Sequence, residues 1–326
     1  MALPTHFTLN NGENMPVTGL GCWMGEPGQG DRVYAMCMTA LKLGYRHFDT
    51  ASGYGNEEFV GKALRDSGIP RNELYVTTKL PNNLHGNVRE GFDESLRKLD
   101  CEYIDMYLIH WPQAVAGSHP GPEGKTRVLA PDEFPTIIDT WKAMEELLPT
   151  GKVRSIGVSN FSISTLSQLL PHCTVVPATN QVELHPCLPQ DDLKTFCDEK
   201  GILLTAYSPL GRPEPNSKLS LFTDPDIIFL AAKNNITSGQ LVLNWAVQRG
   251  TVVVPKSESP ERLAANFQLK KLTDEDMTAL NAFHTQPGRH RSLLTFHRDD
   301  CTVFGWTYEQ LGWNMTQGGV VSASRL

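Results

Sequence analysis

The sequence predicts an α/β fold, a (β/α)8 TIM barrel, on three observations. Short apolar strand patterns alternate strictly with helical ones, eight strands in all, and strict alternation means parallel strands joined by right-handed crossovers. No break in composition divides the chain into two units, which favours one closed barrel over an open sheet with a second domain. The Gly-rich fingerprint of an open dinucleotide-binding sheet is also missing: Gly19-Leu20-Gly21 ends the first strand, but no third glycine opens the following helix. Residues 1–326 therefore read as a single barrel domain, with 1–16 an N-terminal β-hairpin and 285–326 a C-terminal loop and tail.

In chain order, the alternating residues from His6 to Pro16 are interrupted by Asn11-Gly12, a hairpin signal, and suggest a small cover ahead of the main fold. Strands follow at Val17 to Gly21, Arg46 to Phe48, Leu74 to Thr78, Met106 to Ile109, Val153 to Val158, Ala178 to Gln181, Leu203 to Tyr207 and Val252 to Val254. Helices lie between them at Asp31 to Leu43, Glu57 to Asp66, Val88 to Leu99, Ile137 to Leu148, Ser164 to Leu170, Asp191 to Glu199 and Gln240 to Val247. The first shows the logic: Val33, Met36, Cys37, Ala40 and Leu41 make one apolar stripe at helical spacing. Insertions at Gln113 to Pro135 and Gly211 to Asp224 follow strands, so they are expected as long loops on the C-terminal face, walling a pocket.

Composition narrows the function classes. An apolar share of 40% with 20% charged residues describes a globular protein with ample core. No apolar run approaches a membrane span, the start lacks a secretory signal, and a net charge of −7 argues against a nucleic-acid partner. The seven cysteines are scattered, without a C-x-x-C pair or zinc spacing, and read as reduced thiols. Cytoplasm is the expected location. Peroxisome is second, because Ser324-Arg325-Leu326 is similar to a Ser-Lys-Leu address.

Chemistry concentrates at strand ends. Asp49, Lys79, His110, Ser159-Asn160, Gln181, Tyr207-Ser208 and Lys256-Ser257 close the second to eighth strands, and Tyr54 sits five residues beyond Asp49 in a small-residue loop. Each alone has a plain explanation: a capping aspartate, a loop aromatic, a surface lysine, a core histidine. In a barrel, however, strand C-termini converge on one face, and polar residues repeated there point to catalysis.

These stretches resemble the aldo-keto reductase family. Gly44-Tyr45-Arg46-His47-Phe48-Asp49-Thr50-Ala51 with Tyr54, Lys79-Leu80, Leu108-Ile109-His110-Trp111-Pro112, Gly157-Val158-Ser159-Asn160-Phe161, Asn180-Gln181-Val182-Glu183, Ala206-Tyr207-Ser208-Pro209-Leu210-Gly211 and Val254-Pro255-Lys256-Ser257 occur in the family's order, over roughly residues 5 to 300. The resemblance is to the NADPH-dependent aldehyde and ketone reductase branch, of fungal type. It implies that an aldehyde or ketone is reduced to the alcohol by hydride from NADPH, with no metal, and that the small-molecule carbonyl is the partner of a monomer. Asp49, Tyr54, Lys79 and His110 fall on the catalytic tetrad. Tyr54 would be the general acid, Lys79 would ease its proton loss, Asp49 would keep Lys79 charged, and His110 would orient the carbonyl.

For the cofactor, the resemblance implies that Ser159, Asn160 and Gln181 hold the carboxamide and that Tyr207 stacks on the nicotinamide. Ser208 and Leu210 would approach the pyrophosphate, Lys256, Ser257 and Arg262 would take a 2′-phosphate, and Asn266 would reach the adenine. Two departures weaken strict NADPH use: Ala265 stands where the family commonly has an acid, and Glu258 brings a negative charge beside the phosphate position. Trp23 and Trp111 match the family's pocket walls, while Gly53 and Pro81 replace larger residues and should widen the pocket. The segment from Gly288 onward should fold over the barrel mouth. Alternatives are a cofactor-binding regulatory subunit on the same barrel, or an alcohol or polyol dehydrogenase running in reverse.

Overall fold

The computed structural model describes residues 3–116, 127–212 and 219–322. An antiparallel hairpin, His6–Thr8 with Asn14–Pro16, precedes the barrel. The barrel strands are β1 (Leu20–Gly21), β2 (His47–Asp49), β3 (Tyr75–Leu80), β4 (Ile104–Ile109), β5 (Val153–Ser159), β6 (Thr179–Glu183), β7 (Leu203–Tyr207) and β8 (Val252–Val254). They form one 8-stranded sheet in sequence order, each pair parallel. Closure comes from the residues before β1: Thr18 bridges Val253, the Gly19 N–H donates to the Val253 carbonyl at 2.8 Å, and the Val253 N–H donates to the Val17 carbonyl at 2.9 Å. The expected (β/α)8 barrel with its hairpin is the observed fold.

The surrounding helices are α1 (Gly30–Lys42), α2 (Glu57–Asp66), α3 (Val88–Leu99), α4 (Ile137–Glu145), α5 (Ile163–Leu169), α6 (Asp191–Glu199), α7 (Pro225–Lys233), α8 (Ser238–Gln248), α9 (Pro260–Phe267) and α10 (Asp274–Asn281). α1 buries one apolar stripe, Val33, Met36, Cys37, Ala40 and Leu41, the predicted set. Three helices escaped the sequence reading: α7, α9 and α10. Their starts were marked. Asp224, Ser259 and Thr273 cap them by accepting backbone N–H bonds, and proline at the first turn opens α7 and α9. α9 is the helix that follows β8 and completes the alternation, whereas α7 and α10 are extra to one helix per strand. Close helix packing also has a sequence cause at Gly61, where a Cβ would lie 1.9 Å from the Leu99 carbonyl oxygen.

The two barrel ends differ chemically. At the N-terminal end Leu9 and Met15 of the hairpin pack with Tyr75, Met106, Leu108, Ala178 and Val252, forming an apolar plug. At the other end the strands finish in the polar residues singled out above. There the C-terminal segment arrives: Val303, Trp306, Tyr308 and Leu311 cluster with Trp111, the Trp306 indole donates to the Leu129 carbonyl at 2.7 Å, and Gln113 donates to the Val303 carbonyl at 2.8 Å. The anticipated cover over the mouth is therefore present. Part of each long loop, and the tripeptide Ser324-Arg325-Leu326, lie outside the described residues. Among those described, no helix is long and apolar enough to cross a membrane.

Candidate active site

Asp49, the last residue of β2, and Lys79, near the end of β3, meet inside the barrel. The Lys79 Nζ donates to Asp49 Oδ1 at 2.6 Å and to the Thr50 carbonyl at 2.8 Å, and the two side chains are 1% and 4% exposed. Burial alone would depress the ammonium, but the Asp49 carboxylate outweighs it and Lys79 titrates above its ordinary range. The second Asp49 oxygen accepts from Gln181 Nε2 at 2.6 Å. Both carboxylate oxygens are thus held.

Tyr54 lies on the short 3-10 turn after β2, Ser52–Tyr54, with Lys79 Nζ 5.3 Å from its ring centre. His110, immediately after β4, stands edge-on to Tyr54 at 5.7 Å between ring centres. Burial pushes the Tyr54 phenol up, and Lys79 pulls it back only in part. The anticipated lowering by Lys79 is real but smaller than the cost of burying a phenolate, so the resting tyrosine is a neutral phenol. His110 is held well below the usual histidine range, first by burial and then by Lys79, so it is a neutral imidazole. A neutral donor beside a neutral imidazole, backed by a buried ammonium, can protonate and stabilise a developing alkoxide.

A second layer surrounds these four. Ser159 Oγ donates to the Gln181 carbonyl at 2.8 Å; Asn160 Nδ2 donates to the His110 carbonyl at 3.0 Å; the Tyr207 hydroxyl donates to Asn160 Oδ1 at 2.8 Å. The backbone is left-handed at Asn160 (φ 65°) and Ser208 (φ 45°), unusual for residues other than glycine. Ser159, Asn160, Gln181 and Tyr207 therefore gather in one hydrogen-bonded patch beside Asp49 and His110. Residues 18–284 match the family model described as "Aldo/keto reductase family".

The chain belongs to the aldo/keto reductase family. It is 42% identical over 295 residues to a glycerol 2-dehydrogenase (NADP(+)) of Saccharomyces cerevisiae, covering 87% of this chain and 92% of the relative. The aldehyde reductase YPR1 of the same yeast is 40% identical over 294 residues, with the same 87% and 92% coverage. Among solved structures, an aldo/keto reductase from Brucella melitensis superposes with a TM-score of 0.73 at 37% identity, covering 86% of this chain and 99% of that one. The recognition drawn from motifs and the enzyme class it implied both stand: this is an oxidoreductase of the aldo-keto reductase type.

In this reductase the two tryptophans take different positions. Trp23 stacks obliquely on Tyr54, ring centres 5.0 Å apart. Trp111 is buried against Phe296, Phe304 and Trp313 of the C-terminal segment, at 5.4, 4.7 and 6.2 Å. A Cβ added at Gly53 would meet nothing within 4 Å, so space is open next to Tyr54.

Of the distal residues, Lys256 and Ser257 lie on the β8–α9 connection, and Arg262 and Asn266 lie on α9 itself. Ser257 and Asn266 are buried, while Lys256 and Arg262 are exposed. Glu258 does not simply face water. Its carboxylate accepts from Lys256 Nζ at 2.6 Å and from Arg32, on α1, at 2.8 Å. Those two cations hold it down to a pKa of about 2, Arg32 contributing most.

Two further elements had no assigned role in the sequence. Glu183, at the end of β6, is a buried carboxylate that accepts from His185 Nε2 (2.7 Å), Ser292 Oγ (2.6 Å) and the Leu293 N–H (2.8 Å). It ties the C-terminal segment to the barrel, and only its place in the Asn180-Gln181-Val182-Glu183 motif hinted at this. His85 is buried with neither ring nitrogen hydrogen-bonded, a feature no sequence pattern announces.

Proposed function

We propose that this aldo/keto reductase uses NADPH to reduce an aldehyde or ketone, with Tyr54 as the residue that delivers the proton. The observation that carries this is the buried Lys79–Asp49 pair beside Tyr54, since a protein that only held a cofactor would gain nothing from burying an ammonium under a phenol. When bound, the cofactor supplies the hydride. The chain supplies everything else.

In this reading Trp23 and His110 flank the carbonyl, and His110, being neutral, donates a hydrogen bond to its oxygen. As negative charge grows on that oxygen, the Tyr54 O–H transfers its proton, and Lys79 stabilises the phenolate left behind. Asp49 keeps Lys79 charged and aimed. Ser159, Asn160 and Gln181 would hold the nicotinamide carboxamide and Tyr207 its ring; Ser208 and Leu210 would line the pyrophosphate, and Asn266 would reach the adenine. Lys256, Ser257 and Arg262 would bind the 2′-phosphate, with Lys256 paired to Glu258 at 2.6 Å until the phosphate arrives. The names of two yeast relatives, one for NADP(+)-dependent glycerol oxidation and one for aldehyde reduction, support both NADPH and a small polar or aldehyde substrate. They also keep polyol oxidation open as the reverse reaction at the same site. A monomer in the cytoplasm belongs to the same reading.

The test is the initial rate of NADPH oxidation with glyceraldehyde and with an aromatic aldehyde. A carbonyl-dependent rate is expected. Cofactor binding without any such rate, across several carbonyl classes, would favour a regulatory subunit instead.

A further inference from the structure

One charged group near the distal cofactor position does not fit a simple phosphate site. Lys256 is the cation expected to meet a 2′-phosphate, yet its ammonium is bonded to Glu258 at 2.6 Å. The same Glu258 oxygen is 2.8 Å from Arg32, and its other oxygen accepts from Arg32 Nε at 3.0 Å. Arg32 therefore grips the carboxylate with two parallel bonds, whereas Lys256 touches one oxygen only. Arg32 is itself anchored from behind: it donates to Gln29 Oε1 at 3.1 Å, and Gln29 donates to Glu26 at 2.7 Å.

The stronger hold is on the side away from Lys256. Side chains of Arg32, Lys256 and Glu258 are 48%, 33% and 36% exposed. Exchanging the Lys256 contact for water costs little at such exposure. Glu258 can thus let go of Lys256 while remaining on Arg32. A carboxylate at this location also has a use of its own, because a ribose 2′-hydroxyl is a donor that a carboxylate accepts and a 2′-phosphate is an anion that it repels.

We infer that Glu258 sets the choice between the two nicotinamide cofactors, accepting the 2′-hydroxyl of NADH in place and leaving Lys256 when the 2′-phosphate of NADPH enters, and that Arg32 is the positioning residue that holds it off. This rests on the reductase reading above and adds to it: the enzyme accepts both cofactors, and its preference for NADPH is set by how well Arg32 restrains Glu258. Arg32 and Lys256 both face the Glu258 carboxylate. Removing Glu258 frees one further unit of positive charge for the phosphate.

The experiment is a titration of tryptophan fluorescence with NADPH and with NADH, on the wild type, Glu258→Ala, Arg32→Ala and the double variant. Wild type is expected to bind both. Glu258→Ala should move the ratio of the two dissociation constants toward NADPH by about tenfold, the lower range for hydrogen bonds to a charged group. Arg32→Ala should move it the other way, because Glu258 then rests on Lys256 alone; in the double variant the loss of Arg32 should have no further effect. A damaged fold would weaken both cofactors together and leave the ratio unmoved. An unchanged ratio in Glu258→Ala, or an Arg32→Ala effect that persists undiminished without Glu258, would overturn the inference. Wild type that binds neither cofactor would instead remove the reductase reading itself, and the inference with it.

Discussion

Lys79 and Asp49 form an ion pair 2.6 Å long at the C-terminal ends of two barrel strands, almost wholly out of solvent. Charges are costly there, and a buried pair contributes little net stability compared with apolar residues of the same shape. Its cost is accepted because the ammonium sits 5.3 Å from the centre of the Tyr54 ring. Stability is exchanged for a positive potential where an alkoxide and a phenolate have to form.

Asp49→Asn leaves the Lys79 charge buried and unpaired. Urea unfolding should show a loss of about 3 kcal/mol, and carbonyl reduction should fall with it. Replacing both residues, as in Asp49→Leu with Lys79→Met, should restore most of the stability and none of the activity. Equal stability of the single and double variants would contradict the assignment of a buried ion pair.

Buried histidines make the fold acid-sensitive. His47 is lowered to about 4 and His85 to about 3, in both cases by burial. An unfolded histidine takes its proton near pH 6.5, so stability is complete above that value and is lost as pH falls from there toward the two folded-state values. His85→Leu removes one of these groups along with two unsatisfied nitrogens. The variant should exceed the wild type modestly near neutral pH and by a wider margin at about pH 5. Parallel curves for the two proteins would show that His85 is hydrated or charged in the native state.

Activity should respond to pH quite differently. His110 is held far below the usual histidine range and Tyr54 above the usual phenol range, each chiefly by burial. The reductive kcat/KM is therefore expected to have no histidine limb around pH 6.5 and to decline only in strongly alkaline solution. A limb near pH 6.5 that vanishes in His110→Gln would mean that the imidazole cycles its proton.

The sequence revealed these sites unevenly, for physical reasons. Strands β7 and β8 and helices α2, α3 and α6 were readable to the residue, because their apolar spacing and flanking turns agree. Helices α7, α9 and α10 were not, although Asp224-Pro225, Ser259-Pro260 and Thr273 marked their starts: α7 and α10 are additions to the alternating pattern, and α9, which completes it after β8, is only eight residues long. The proximity of Asp49, Tyr54, Lys79 and His110 was legible since strand ends in a barrel share a face. Arg32 was not: it is an ordinary exposed residue of α1, and only the barrel closure between β1 and β8 brings it to Glu258, 226 positions away. The same holds for Glu183 and Ser292, joined across 109 positions at 2.6 Å.

That last contact ties the C-terminal segment to the barrel. Glu183→Ala would release Ser292, the Leu293 N–H and His185 together. Faster proteolytic nicking within residues 288–322 is expected, with KM for a bulky carbonyl changed more than kcat. Unaltered proteolysis would show that the aromatic cluster around Trp111 suffices to hold the segment.

The central claim is that Tyr54 is the general acid, and the most direct measurement is a single-turnover comparison of wild type with Tyr54→Phe, following NADPH absorbance after a carbonyl is added. The substitution removes one hydroxyl and keeps the ring against Trp23 and His110. Loss of rate by at least about a hundredfold, with NADPH affinity within about twofold of wild type, is the predicted result. A Tyr54→Phe enzyme that still turns over at a rate near that of the wild type would contradict it and shift the proton to another donor, His110 first.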